Sequence, residues 1–112
     1  SFKLGSRELV ERMAAVAREF GGSLLCVKKA RQLAHWMETK QRKPYMLLIS
    51  WREAKPAWDA IADMPTEQLP RIMVVVCDMG SAIERAVEWA QSLRTHVPVH
   101  TVSGYDDIEE VV

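Results

Sequence analysis

The chain has 112 residues, of which 48% are hydrophobic and 27% charged, and its formal net charge is zero. That length suits a single domain that buries enough surface to fold without a disulfide framework or a structural metal. There is no apolar run long enough to span a bilayer and no opening signal peptide, and two cysteines are too few for a disulfide scaffold, so no membrane association and a reducing, cytoplasmic setting are expected.

From the amino terminus, Ser6 is placed to cap a first helix with an apolar stripe of Leu9, Val10, Met13, Val16, Ala17 and Phe20, closed by Gly21 and Gly22. Residues 1–21 thus read as a helix packed onto an α/β domain at 22–112. A first strand follows at Ser23 to Val27. The next helix, Lys28 to Gln41, is expected to bury Ala30, Leu33, Ala34 and Met37. The second strand is Tyr45 to Ser50. Ser50-Trp51-Arg52-Glu53 has the spacing of a capping box, but Pro56 inside that helix argues for a start at Pro56 instead. Ile72 to Cys77 forms the third strand. A helix capped at Ser81, with Glu84 three residues on, then carries Ile83, Ala86, Val87, Ala90 and Leu93 on one face. Val97 to Val102 is the fourth strand, and Pro98 marks it as a sheet edge. A last helix begins near Ser103 and runs over Tyr105 to Val112, so the chain reads as a piece of a longer protein.

Three of the four strands are nearly continuous apolar runs, which implies burial on both faces. Their starts lie 22 to 27 residues apart with one helix in each interval, the spacing of right-handed crossovers rather than hairpins. The fold class is α/β: a three-layer sandwich with a short parallel sheet of about four strands, flavodoxin-like, with an extra helix at the start.

Val97-Pro98-Val99-His100-Thr101-Val102-Ser103-Gly104-Tyr105-Asp106-Asp107-Ile108-Glu109 resembles the fourth strand and following helix of response-regulator receiver domains. The resemblance implies that Ser103 matches the hydroxyl switch residue and that Asp78, after the third strand, matches the phosphoacceptor. The departures fall on the chemistry. Lys28 and Lys29 stand where receivers carry the acidic pair that binds a divalent cation, and ammonium groups repel such a cation. The loop Met79-Gly80-Ser81-Ala82 is short and lacks the family's proline turn, and the fifth strand with its lysine is missing. Without the metal, aspartyl phosphorylation loses its charge compensation. A degenerate, non-catalytic receiver-like module of a signalling protein is therefore expected, with a protein partner, other domains of the same chain or a second copy as its contacts. In a flavodoxin-like order the first and third strands are neighbours, so Lys28 could reach Asp78 and replace the metal; otherwise Asp78 caps the following turn.

The same adjacency would bring Cys26 near Cys77, as a redox pair or as two reduced core thiols. His96 and His100 are four apart around Pro98, and in an extended segment they stand about 13 Å from one another, too far to share a metal. His35 is isolated. No phosphate-loop glycine pattern occurs, so no cofactor is expected. The rival to an interaction module is a small ligand-binding or enzymatic domain, with Lys28, Lys29, Arg52 and Ser81 holding a phosphate or nucleotide at the carboxyl ends of the strands. The basic residues Lys28, Lys29, Arg31, Lys40, Arg42 and Lys43 accompany no nucleic-acid signature and read as a solvated face. Trp36 and Trp89 fall beside the apolar stripes of their helices, as partner contacts or as rings laid over the core edge.

One further feature is a charge asymmetry. Residues 1–55 carry twelve Lys/Arg against five Glu, a net of +7, and residues 56–112 carry three Arg against ten acids, a net of −7. The fold decides whether those halves separate or mix.

Overall fold

The computed structural model describes residues 7–38, 44–77 and 80–103, apart from the side chains at 7–9, 80, 81 and 103. It is the expected α/β class: four parallel strands between helical layers. The elements in chain order are α1 (Arg7–Glu19), β1 (Ser23–Val27), α2 (Ala30–Met37), β2 (Tyr45–Ser50), α3 (Trp51–Ile61), a short 3-10 turn (Thr66–Gln68), β3 (Ile72–Cys77), α4 (Gly80–Ser92) and β4 (Val99–Ser103). The Ser6 cap, the last helix and the basic residues 40–43 lie outside the described residues. Among the described residues, no helix is long and apolar enough to cross a membrane.

The sheet runs β1-β2-β3-β4, so spatial order follows chain order. Every pair is parallel, with Ser23 opposite Tyr45, Met46 opposite Ile72 and Met73 opposite Val99. This overturns the adjacency of β1 and β3: β2 lies between them. The alternation of side chains divides the core in two. On one face Leu47, Ile49, Met73, Val75 and Cys77 pack with Leu33 of α2, Ala54, Ala57, Trp58 and Ile61 of α3, and Ala86 of α4. On the other face Met46, Leu48, Val74, Val76 and Val102 pack with Met13 and Ala17 of α1. Three crossovers in one direction put three helices on one face, and α1 covers the other.

Several boundaries depart from the sequence expectation. α3 begins at Trp51 and holds Pro56 within it. Its apolar positions Ala54, Ala57, Trp58 and Ile61 are all buried, and that burial outweighs the missing N–H opposite the Arg52 carbonyl. α4 begins at Gly80, which puts Ser81 inside the first turn rather than at the cap. β4 begins at Val99, so Pro98 precedes the strand, and β4 is an edge because β3 is its only partner among the described residues. In α2, Ala34 is exposed and Trp36 packs against the core in its place.

The link from α1 to β1 is fixed by two glycines with different duties. Gly21 has φ +77°, with its N–H donating to the Arg18 carbonyl at 3.0 Å, and the Gly22 N–H donates to the Ala17 carbonyl at 3.0 Å. This is the paired closure of a Schellman motif, in which a left-handed residue follows the last helical turn. Gly22 is needed for space, because a Cβ there would be driven into the Pro44 carbonyl and the Phe20 ring. Gly22→Ala is expected to destabilise the domain by about 1–3 kcal/mol in urea unfolding. An unchanged midpoint would show that β1 does not pass this close to Pro44.

Because the sheet follows chain order, the two charge halves stay apart. α1 packs on β1 and β2, and α4 on β3 and β4. Among the described residues the first half carries eight Lys/Arg against five Glu, and the second three Arg against five acids. Among the described residues, the half that opens the sheet at β1 thus carries a net of +3 and the half that closes it at β4 a net of −2.

Candidate functional site

Among the described residues β2 is the only strand paired with β1, which leaves an open edge that the sequence did not disclose. Its outward groups follow from pairing. The Ser23 N–H donates to the Pro44 carbonyl at 3.1 Å, and Ser23, Leu25 and Val27 therefore turn their polar groups toward β2. Leu24 and Cys26 turn theirs away, offering two N–H donors and two carbonyl acceptors along the edge. The strand itself is Ser-Leu-Leu-Cys-Val, with neither a proline nor a charge to discourage pairing. A groove of about 380 Å³ runs beside it, lined by Leu25, Val27, Gln32, His35 and Trp36 among others.

Cys26 is exposed on this edge and Cys77 is buried. They lie on opposite faces of the sheet and two strands apart, a lateral separation of about 9.5 Å, beyond disulfide reach. The redox pair is excluded, and of the two thiols only Cys77 belongs to the core. Neighbouring groups partly desolvate the Cys26 sulfur and raise its pKa, so it stays a thiol at neutral pH.

Trp36 and Trp89 are not brought together. Trp36 is half-buried against Tyr45, with ring centroids 4.7 Å apart at 60°. Burial holds the Tyr45 phenol well above the usual tyrosine range, and its hydroxyl donates to the Gln68 carbonyl at 2.9 Å. Trp89 meets Trp51 edge to face at 5.7 Å, and the Lys55 ammonium lies 5.1 Å from the Trp51 ring centre. Both rings therefore act first as core edges.

At the carboxyl rim, Lys28, Lys29 and Arg52 are exposed and follow adjacent strands. The amides that open α2 are already engaged. Those of Lys28 and Lys29 donate to Gln32 Oε1 at 2.7 and 2.9 Å, and that of Ala30 donates to Glu53 Oε1 at 2.9 Å. Glu53 of the Ser50–Glu53 pattern thus caps the neighbouring helix rather than its own, and its carboxylate sits where an anion would bind. Asp78 lies outside the described residues, as do the side chains of Ser81 and Ser103. With β2 between β1 and β3, strand adjacency no longer carries Lys28 to Asp78.

Ser50 terminates the central strand β2, and its side chain is buried with no hydrogen-bond partner. Strand alternation turns it to the α1 face, in the row of Met46 and Leu48, so it makes no cap bond to α3. An orphaned buried hydroxyl costs about 1–3 kcal/mol. Ser50→Ala is therefore expected to stabilise the domain by about 1 kcal/mol, against the usual loss when a helix cap is removed. A loss of stability in urea unfolding would show that this hydroxyl has a partner.

His35 is exposed and stands 3.4 Å from Glu38 through Nδ1, and His96 is exposed before β4. Among the described residues no three His, Cys, Asp or Glu side chains gather in a metal-binding group. A second hollow of about 480 Å³, bordered by Glu67, Arg71 and His96, opens at the amino ends of the strands, opposite the rim where this architecture usually binds ligands. No protein-family model, curated protein or solved structure matches this chain.

Proposed function

We propose that this chain is a non-catalytic protein-interaction module that takes up an extended strand from a partner along β1. The observation that supports it is an edge left unpaired among the described residues: Leu24 and Cys26 present outward polar groups beside a groove that ends at Trp36. Strand addition draws its affinity from main-chain hydrogen bonds and its selectivity from pockets for alternate side chains. The role is of the regulatory kind implied by the receiver resemblance, without phosphorelay chemistry.

The test uses a proline in the edge. The Cys26 N–H points away from β2, so Cys26→Pro removes an outward donor and no sheet bond. Peptides selected from a random display library on the wild-type chain should bind Cys26→Pro at least tenfold more weakly, with unfolding midpoints similar for both proteins. Selected peptides that bind both proteins equally would remove the edge from the account.

The exposed cations Lys28, Lys29 and Arg52 at neighbouring strand ends support a second reading, an anionic ligand on the carboxyl rim. A reproducible thermal stabilisation by a phosphorylated ligand, lost in Lys28→Ala, would favour it.

A further inference from the structure

We infer that the strand taken up at β1 is the β4 edge of a second copy of this chain, so that copies join head to tail into a longer parallel sheet. The inference rests on the proposed strand-pairing role of β1 and adds the identity of the partner.

Three observations carry it. The first is the complementarity of the hydrogen-bond rows. The Met73 N–H donates to the Pro98 carbonyl at 2.9 Å and Met73 lies opposite Val99, so His100 and Val102 turn toward β3 while Val99, Thr101 and Ser103 turn outward. Outward Cys26 then fits between outward Val99 and Thr101 of a parallel neighbour, with its N–H donating to one and its carbonyl accepting from the other. Leu24 fits one step earlier in the same ladder.

The second is that layers continue. Cys26 and its new partner His100 both belong to the even-numbered side of their strands, the side that faces α1 through Leu24 and Val102. The joined sheet keeps α1 on one face and α2, α3 and α4 on the other.

The third is charge. Parallel joining sets the carboxyl end of β1, followed by Lys28 and Lys29, alongside the carboxyl end of β4. The chain leaving β4 carries Asp106, Asp107, Glu109 and Glu110 within its next seven residues. Among the described residues, the half of the chain that opens with β1 carries a net of +3 and the half that closes with β4 a net of −2. Pairing β1 with β1 of another copy across a two-fold axis would instead bring two basic sides together. Head-to-tail contacts are heterologous and do not close unless the rotation forms a ring, so the assembly grows with concentration.

Light scattering on the full chain tests this. At about 20 mM salt the mean mass should rise with concentration above the 12.8 kDa of one chain, and raising salt to about 500 mM should weaken association at least tenfold by screening. Cys26→Pro blocks the β1 edge and Thr101→Pro the β4 edge, so each variant alone should stay at one-chain mass. Their equimolar mixture should form a two-chain species through the two edges left intact. Self-association of Thr101→Pro alone would overturn head-to-tail pairing in favour of β1 on β1. A wild-type chain that stays monomeric at low salt would also overturn it, and the peptide selection would still decide the β1-edge reading separately. Assembly indifferent to salt would remove the charge argument, a result that needs no variant to fold.

Discussion

Ile49→Ala is expected to cost about 3–5 kcal/mol, the upper part of the range for removing a buried isoleucine. Ile49 is fully buried one residue before the end of β2, an inner strand with β1 on one side and β3 on the other. Its side chain lies in the larger core, with Leu33, Ala54, Ala57 and Trp58 above the sheet. The strand and both helices hold their positions through other contacts, so the site cannot collapse to fill the cavity. A domain of this length is stable by roughly 5–15 kcal/mol, so one substitution consumes a large share. The melting temperature should fall by on the order of 10–20 °C, with little change in the urea m-value. A cost under about 1 kcal/mol would mean that β2 is not the central strand.

Pro56→Ala is expected to act in the opposite direction, raising stability by about 2 kcal/mol. Pro56 is exposed, six residues into α3, where it lacks the N–H that would meet the Arg52 carbonyl. Proline inside a helix costs about 3 kcal/mol relative to alanine, while its restriction of the unfolded chain returns about 0.4–1 kcal/mol. The burial of Ala54, Ala57, Trp58 and Ile61 and the bond from Ala30 to Glu53 hold the helix despite it. The outcome also reports where α3 starts. If the helix began at Pro56, proline would occupy its favoured first position and the alanine variant would be neutral or less stable.

The strands were legible in the sequence because they are continuous apolar runs. β1, β2 and β3 occupy the residues read from composition, and β4 is displaced from 97–102 to 99–103. Such runs specify burial on two faces and hence parallel pairing under helices. They do not specify which strand lies beside which. Local periodicity is blind to the direction of a crossover, so the flavodoxin-like adjacency of β1 and β3 was an expectation with no residue behind it. That single difference separates Cys26 from Cys77, takes away the adjacency argument for Lys28 and Asp78, and exposes β1.

Side-chain details failed for related reasons. The Ser50–Glu53 spacing was visible, but only the packing of α2 beside α3 shows that Glu53 serves Ala30. Trp36 fell outside a stripe drawn through Ala30, Leu33, Ala34 and Met37. A large ring reaches back to Tyr45 from a position where alanine would not. The charge halves were legible as numbers, and chain-order strand placement gives them a spatial meaning.

The most direct measurement is amide hydrogen exchange along β1, in dilute protein at high salt to keep chains apart. The N–H groups of Leu25 and Val27 should exchange slowly, and those of Leu24 and Cys26 fast, while Leu47, Leu48 and Ile49 in β2 are all slow. Slow exchange at Leu24 and Cys26 as well would place another strand against β1 within the same chain, and the open edge would be gone.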